Sequence, residues 1–153
     1  MLHLFIDGSA KENFIGAGLI IVESHQASPI TQSFHMKLNH PATSTIAEFF
    51  ALRKALEWIQ EHQPENDIMI FSDSQDVTST PTHPMTPPDV LQLLHQLQTS
   101  FPHQIHIEQA RNQHQPYIDK AHHASRKYRA IMPKGPWSTT RSTIPALGSH
   151  AWI

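Results

Sequence analysis

The 153 residues hold 11 Lys and Arg against 13 Asp and Glu, with 13 histidines and no cysteine. That length suits one domain with a substantial core; the missing cysteines exclude disulfides and thiolate metal sites, and no apolar run reaches membrane length. The net charge of −2 hides an asymmetry: residues 1 to 108 carry 4 basic against 12 acidic residues, whereas residues 109 to 153 carry 7 against 1, so contact with a polyanion is sought in the last third.

The start, Met1-Leu2-His3-Leu4, has neither a basic n-region nor an apolar h-region, so a soluble cytoplasmic protein is expected. Leu4-Phe5-Ile6-Asp7-Gly8-Ser9 reads as a buried strand that delivers a carboxylate at its exposed end. A polar turn leads into Ile15 to Val22, a second strand in hairpin with the first, whose Gly16 and Gly18 allow close backbone approach or a bulge. Thr31 to Leu38 alternates, with Phe34, Met36 and Leu38 on one face, and reads as a half-buried edge strand.

From Thr43 to His62 the period becomes helical, with Thr43, Ser44 or Thr45 able to cap the start. Phe49, Leu52, Ala55, Leu56 and Ile59 form the apolar stripe, and Glu48 projects from it, four and seven residues before Leu52 and Ala55. A carboxylate is rarely placed there unless it is paired or binds a cation. Asp67 to Phe71 is a fourth strand and ends in Ser72-Asp73. The helix between the first and fourth strands is the crossover that a parallel pair needs, so Asp7 and Asp73 are expected side by side at one sheet edge.

Pro81, Pro84, Pro87 and Pro88 stop early any helix begun at Ser74, and helical spacing resumes with Asp89 as cap. Gln104 to Gln109 is a fifth strand. A last helix has Pro116 and Asp119 in its first turn and runs to about Ala130. Residues 131 to 153 read as an extended tail, separate from a domain over 1 to 130, in which Trp137 and Trp152 are expected to pack over the last helix, with stacking on bases or joining a second subunit as the alternatives. The histidines lack ligand spacing, and pairs such as His103/His106 and His122/His123 read as compositional.

The element order βββαβ-α-βα thus carries Asp7, Glu48, Asp73 and Asp119. Carboxylates converging at one edge cannot all stay ionised without countercharge, and oxygen-only ligands point to Mg²⁺ or Mn²⁺. Two such ions would activate a water and stabilise the leaving oxygen in phosphodiester hydrolysis.

Ile6-Asp7-Gly8-Ser9, Gly16-Ala17-Gly18, Thr43 to Leu52 (with Glu48), Phe71-Ser72-Asp73-Ser74-Gln75 and Ile118-Asp119-Lys120-Ala121 resemble, in order, the blocks of type 1 ribonuclease H over residues 4 to about 130. The resemblance implies an α/β fold with a five-stranded mixed sheet, order 3-2-1-4-5, flanked by helices. It implies a divergent bacterial member that cleaves the RNA strand of RNA/DNA hybrids, with no membrane partner. Asp7, Glu48, Asp73 and Asp119 would be the metal ligands of two Mg²⁺ ions, with Mn²⁺ as the alternative. Gly8 and Ser9 would bring backbone close to RNA 2′-hydroxyls, and Ser44 and Thr45 lie where the family contacts the hybrid.

The chain departs from the family pattern at Thr45 and Gln115, where many members have asparagine, and at Gln109, where a loop histidine is common. His114 is the nearest substitute for that histidine as a proton shuttle. No basic protrusion is recognisable, so hybrid affinity is expected to rest on Arg111, Lys120, Arg126, Lys127, Arg129 and the tail. Asp76, also near the centre, is expected to face solvent. A module that binds nucleic acid or protein without cutting it, and a nuclease for another nucleic acid, are the competing readings.

Overall fold

The structure is a computed structural model and describes residues 1–23, 28–80 and 82–132; the tail with Trp137 and Trp152 lies outside the described residues. Three strands open the chain, β1 (Leu2–Lys11), β2 (Phe14–Glu23) and β3 (Ile30–Lys37). After α1 (Ser44–His62) come β4 (Ile68–Ser72), α2 (Gln75–Thr78), α3 (Pro88–Ser100), β5 (Ile105–Gln109) and α4 (Gln115–Ser125). The sheet order is β3-β2-β1-β4-β5, antiparallel among the first three strands and parallel from β1 to β4 to β5. The expected topology is the one observed. No helix among the described residues is long and apolar enough to cross a membrane.

Side-chain alternation along β1 divides the core in two. Leu2, Leu4 and Ile6 join β2 and the stripe of α1 (Phe49, Leu52, Ala55, Leu56, Ile59) on one face, together with Val90, Leu94 and Leu97 of α3. Phe5 points the other way, into a smaller cluster with Ile20, Phe71 and Ile118 and Ala121 of α4. Asp7 and Ser9 share the parity of Phe5 and so face α4, whereas Gly8 faces α1.

Helix α1 begins where Thr43 accepts a hydrogen bond from the backbone N–H of Ile46 at 3.2 Å, and it ends at Gln63, whose φ of 47° is left-handed. Ser74 caps α2 in the same way, but this helix lasts four residues before the Pro-rich segment turns away. Asp89 is not the cap of α3. Pro87 holds that position and Pro88, its φ already helical, starts the helix. The Asp89 carboxylate instead pairs with Arg53 of α1 at 2.7 Å. The last helix is also shorter than its sequence suggests: α4 stops at Ser125 and a 3₁₀ turn covers Lys127–Ala130.

Helix α4 lies on β2 with no side chain between them at two positions. A Cβ built on Gly18 would overlap the carbonyl oxygen of Ala121, and one on Gly16 would overlap that of Ser125. Close backbone approach, rather than a bulge, is therefore what these glycines provide. Gly18→Ala is expected to destabilise the fold by about 3 kcal/mol or more, since neither backbone can yield without moving the helix. Chemical denaturation of the variant measures it.

Candidate metal centre

The register of β1 on β4 sets the site. The last residue pair is Phe5 with Phe71, after which the two strands part. Asp7 and Asp73 each stand two residues beyond that pair, so they emerge at the same level of a parallel edge. Glu48 comes from the first turns of α1. Ligand oxygens of Asp7, Glu48 and Asp73 lie within 4.8 Å of one another, with Asp7 buried, Glu48 half-buried and Asp73 exposed.

Burial is the main reason Glu48 and Asp7 resist ionisation. It pushes the Glu48 carboxyl up to about 9, with the negative charges of Asp7 and Asp73 adding to it and the Gly8 backbone N–H opposing. Burial likewise raises Asp7 to about 6, against a hydrogen bond from His122 that favours its charged form. Oε2 of Glu48 is buried and has no hydrogen-bond partner. A carboxyl group with an orphaned buried oxygen, grouped with two further carboxylates, fits a hard divalent cation, whose charge removes the repulsion and whose coordination shell can satisfy an orphan.

Asp119 is not brought into this group. It lies beyond the first turn of α4, and its exposed carboxylate accepts a 2.7 Å hydrogen bond from Gln115, one turn earlier. The α4 side chain at the centre is His122, whose Nδ1 is 2.6 Å from Oδ2 of Asp7. His122 is therefore not merely compositional. The clues were the parity of Asp7 with Phe5, which aims it at α4, and the i,i+3 spacing from Asp119.

His114, the expected shuttle, is placed against Phe71 and Phe5. Its ring stacks at a tilt on Phe71, with centroids 4.0 Å apart, and its Nδ1 accepts the backbone N–H of Arg111 at 3.0 Å. Partial burial lowers its pKa. These contacts anchor the ring just ahead of α4.

The Ser9 hydroxyl is turned inward, donating to the carbonyl of Ser125 at 2.8 Å. Gly8 is required by packing, since a Cβ there would overlap the backbone of Ala47. Ser44 is exposed at the start of α1, while Thr45 donates to Oδ2 of Asp76 at 3.1 Å. Asp76 does not simply face solvent: His83, from the Pro-rich segment, lies 3.0 Å from its other oxygen. That segment thereby braces the start of α1. Arg111 and Lys120 are both exposed, and the Lys120 ammonium sits 5.8 Å from the Tyr117 ring centroid.

Two features were not anticipated. Gln109, at the end of β5, donates to the backbone carbonyl of Asp73 at 3.0 Å and so holds the loop that carries this acid. Beside His122, an open groove of about 700 Å³ is lined by Asp119, His123, Arg126, Lys127 and Arg129, a mostly basic wall adjoining the acids.

The sequence profile of the reverse transcriptase-like family matches residues 5–131. No curated protein matches the chain in sequence at a significant level. Among solved structures, the fold is similar to that of RNase H1 from the halophilic archaeon Halobacterium salinarum: TM-score 0.63 and 20% identity, over 86% of this chain and 98% of that one. LC11-RNase H1, solved in complex with an RNA/DNA hybrid, gives 0.60 and 15% over 86% and 100%. The N-terminal RNase H domain of rv2228c from Mycobacterium tuberculosis gives 0.56 and 20% over 86% and 99%.

Proposed function

The chain belongs to the reverse transcriptase-like family, and from that membership and its converging acids we propose that it is a divalent-metal-dependent endonuclease cleaving the RNA strand of RNA/DNA hybrids. The observation that carries this reading is the group of Asp7, Glu48 and Asp73, with one buried oxygen of Glu48 left without a partner. The similar fold of LC11-RNase H1, solved with an RNA/DNA hybrid, supports the choice of substrate.

In this reading Asp7, Glu48 and Asp73 hold two Mg²⁺ ions, or Mn²⁺, in a cytoplasmic enzyme. When bound, the cations supply the charge that activates a water and stabilises the leaving oxygen of an in-line displacement. The protein's part is placement. Phe5 and Phe71, stacked with centroids 5.2 Å apart, fix the level of the two aspartates, and the buried stripe of α1 fixes Glu48. Gln109 holds the Asp73 loop, and the basic groove gives the substrate's phosphates a flank on the α4 side.

Gln109→Ala is expected to slow cleavage about tenfold with little change in KM, because a loosened Asp73 loop disturbs alignment more than affinity. Steady-state kinetics on a labelled hybrid measures both constants.

The reading itself is tested with the native protein on a labelled RNA/DNA hybrid in Mg²⁺ and then Mn²⁺, with duplex RNA, duplex DNA and single strands as controls. Metal-dependent cutting of RNA in the hybrid alone is expected. Cutting of another substrate instead would reassign the nucleic acid. No cutting by a folded, metal-binding protein would make it a binding module.

A further inference from the structure

Alternation along β1 sends Asp7 to the α4 face, and the side chain it meets there is His122. Nδ1 of His122 lies 2.6 Å from Oδ2 of Asp7, while its Nε2 lies 3.5 Å from Nη1 of Arg126. A guanidinium can only donate, so this network gives Nε2 the lone pair and Nδ1 the proton, which is donated to Asp7. Asp119, one turn away, is engaged with Gln115.

The contact is not a by-product of core packing. The His122 side chain is 53% exposed, against 5% for that of Asp7, so the ring reaches from the surface to a buried carboxylate. A carboxylate has two oxygens and about four lone-pair sites, so one donated hydrogen bond leaves it able to bind a cation. Carboxylate and imidazole ligands of metal sites are commonly held by such partners, which set the orientation of the ligand.

We propose that His122 is a positioning residue of the metal centre, holding Asp7 in the orientation that faces Glu48 and Asp73. The role rests on the metal reading given above. His122 acts through Asp7, and Arg126 fixes the tautomer that does so.

The test is Mn²⁺ binding to the full chain, followed by the electron paramagnetic resonance signal of the free ion. It compares the native protein with His122→Ala, His122→Asn and Asp73→Asn. His122→Ala is expected to weaken binding about 10- to 100-fold. His122→Asn should recover most of the loss, because the amide N–H reaches the place of Nδ1–H. Two results overturn the assignment: equal binding by His122→Ala and the native protein, or no recovery in His122→Asn.

The metal reading fails differently. It falls if the native protein and Asp73→Asn bind Mn²⁺ alike, and the role of His122 falls with it. Equal binding by native and His122→Ala, with loss in Asp73→Asn, removes only the role of His122. Because no step of this test uses a nucleic acid, it stands apart from the choice of substrate.

Discussion

Asp73→Asn is expected to lower cleavage of the RNA/DNA hybrid by about a thousandfold or more while leaving the fold intact. Loss of one carboxylate from a group of three removes charge where the cations must sit, and about 4 kcal/mol of lost transition-state stabilisation corresponds to that factor. The fold survives because the Asp73 side chain is exposed and its structural tie runs through the backbone, which accepts from Gln109. Single-turnover kinetics at saturating metal, beside a thermal melt, separates the two effects. Retained cleavage would remove Asp73 from the site.

Glu48→Gln is expected to have opposite effects on activity and stability. The raised pKa of Glu48, about 9 in the folded protein against 4.5 for the free group, means that the folded state binds more protons than the unfolded one between those values. Stability is therefore full below about pH 4.5 and is lost progressively as pH rises towards 9, where the buried carboxylate ionises beside Asp7 and Asp73. Asp7, raised to about 6, adds a smaller loss of the same sign over a lower range.

Without metal at pH 9, Glu48→Gln should be more stable than the native protein by about 1–3 kcal/mol, because the neutral amide avoids the charge that burial and the two aspartates penalise, each pKa unit being about 1.4 kcal/mol. That corresponds to about 2–4 °C in Tm for each kcal/mol. Millimolar Mg²⁺ or Mn²⁺ should stabilise the native protein at this pH and the variant much less. Melts at pH 5, 7 and 9 with and without metal measure it. A native protein whose metal-free stability rises from pH 5 to 9 would contradict the electrostatics described here.

The topology was legible because the signals were long or repeated. The 19-residue α1, with its unbroken stripe, declared a crossover, and the two apolar runs ending in Asp7 and Asp73 declared parallel partners. Glu48 stood out because a carboxylate on a buried stripe has few structural uses. The ends of elements were harder to read. Asp89 resembles a cap, but a proline before it already has helical φ, and local backbone geometry decided the start of α3.

The α4 side of the site was least legible. Spacing places Asp119 and His122 on neighbouring parts of one face, but the choice between them depends on a hydrogen bond to Gln115 and on how far the helix axis stands from the sheet. The surroundings of His114 were hard to read for a similar reason. Its place in the chain suggested a reactive loop, while its surroundings, Phe71, Phe5 and the Arg111 backbone, come from three separate segments.

The bare contact of α4 with β2 also acts as a gauge block. At Gly18 the gap between helix and sheet is filled by main chain alone, and at Gly16 by the Ser125 carbonyl beside the buried Tyr128 ring; a main-chain contact can be neither compressed nor repacked by choosing another rotamer. The reach from His122 to Asp7 is measured from that fixed stop. Two residues without side chains, touching no ligand, thereby calibrate the metal centre, and tolerance at this seam is expected to be as narrow as at the acids themselves.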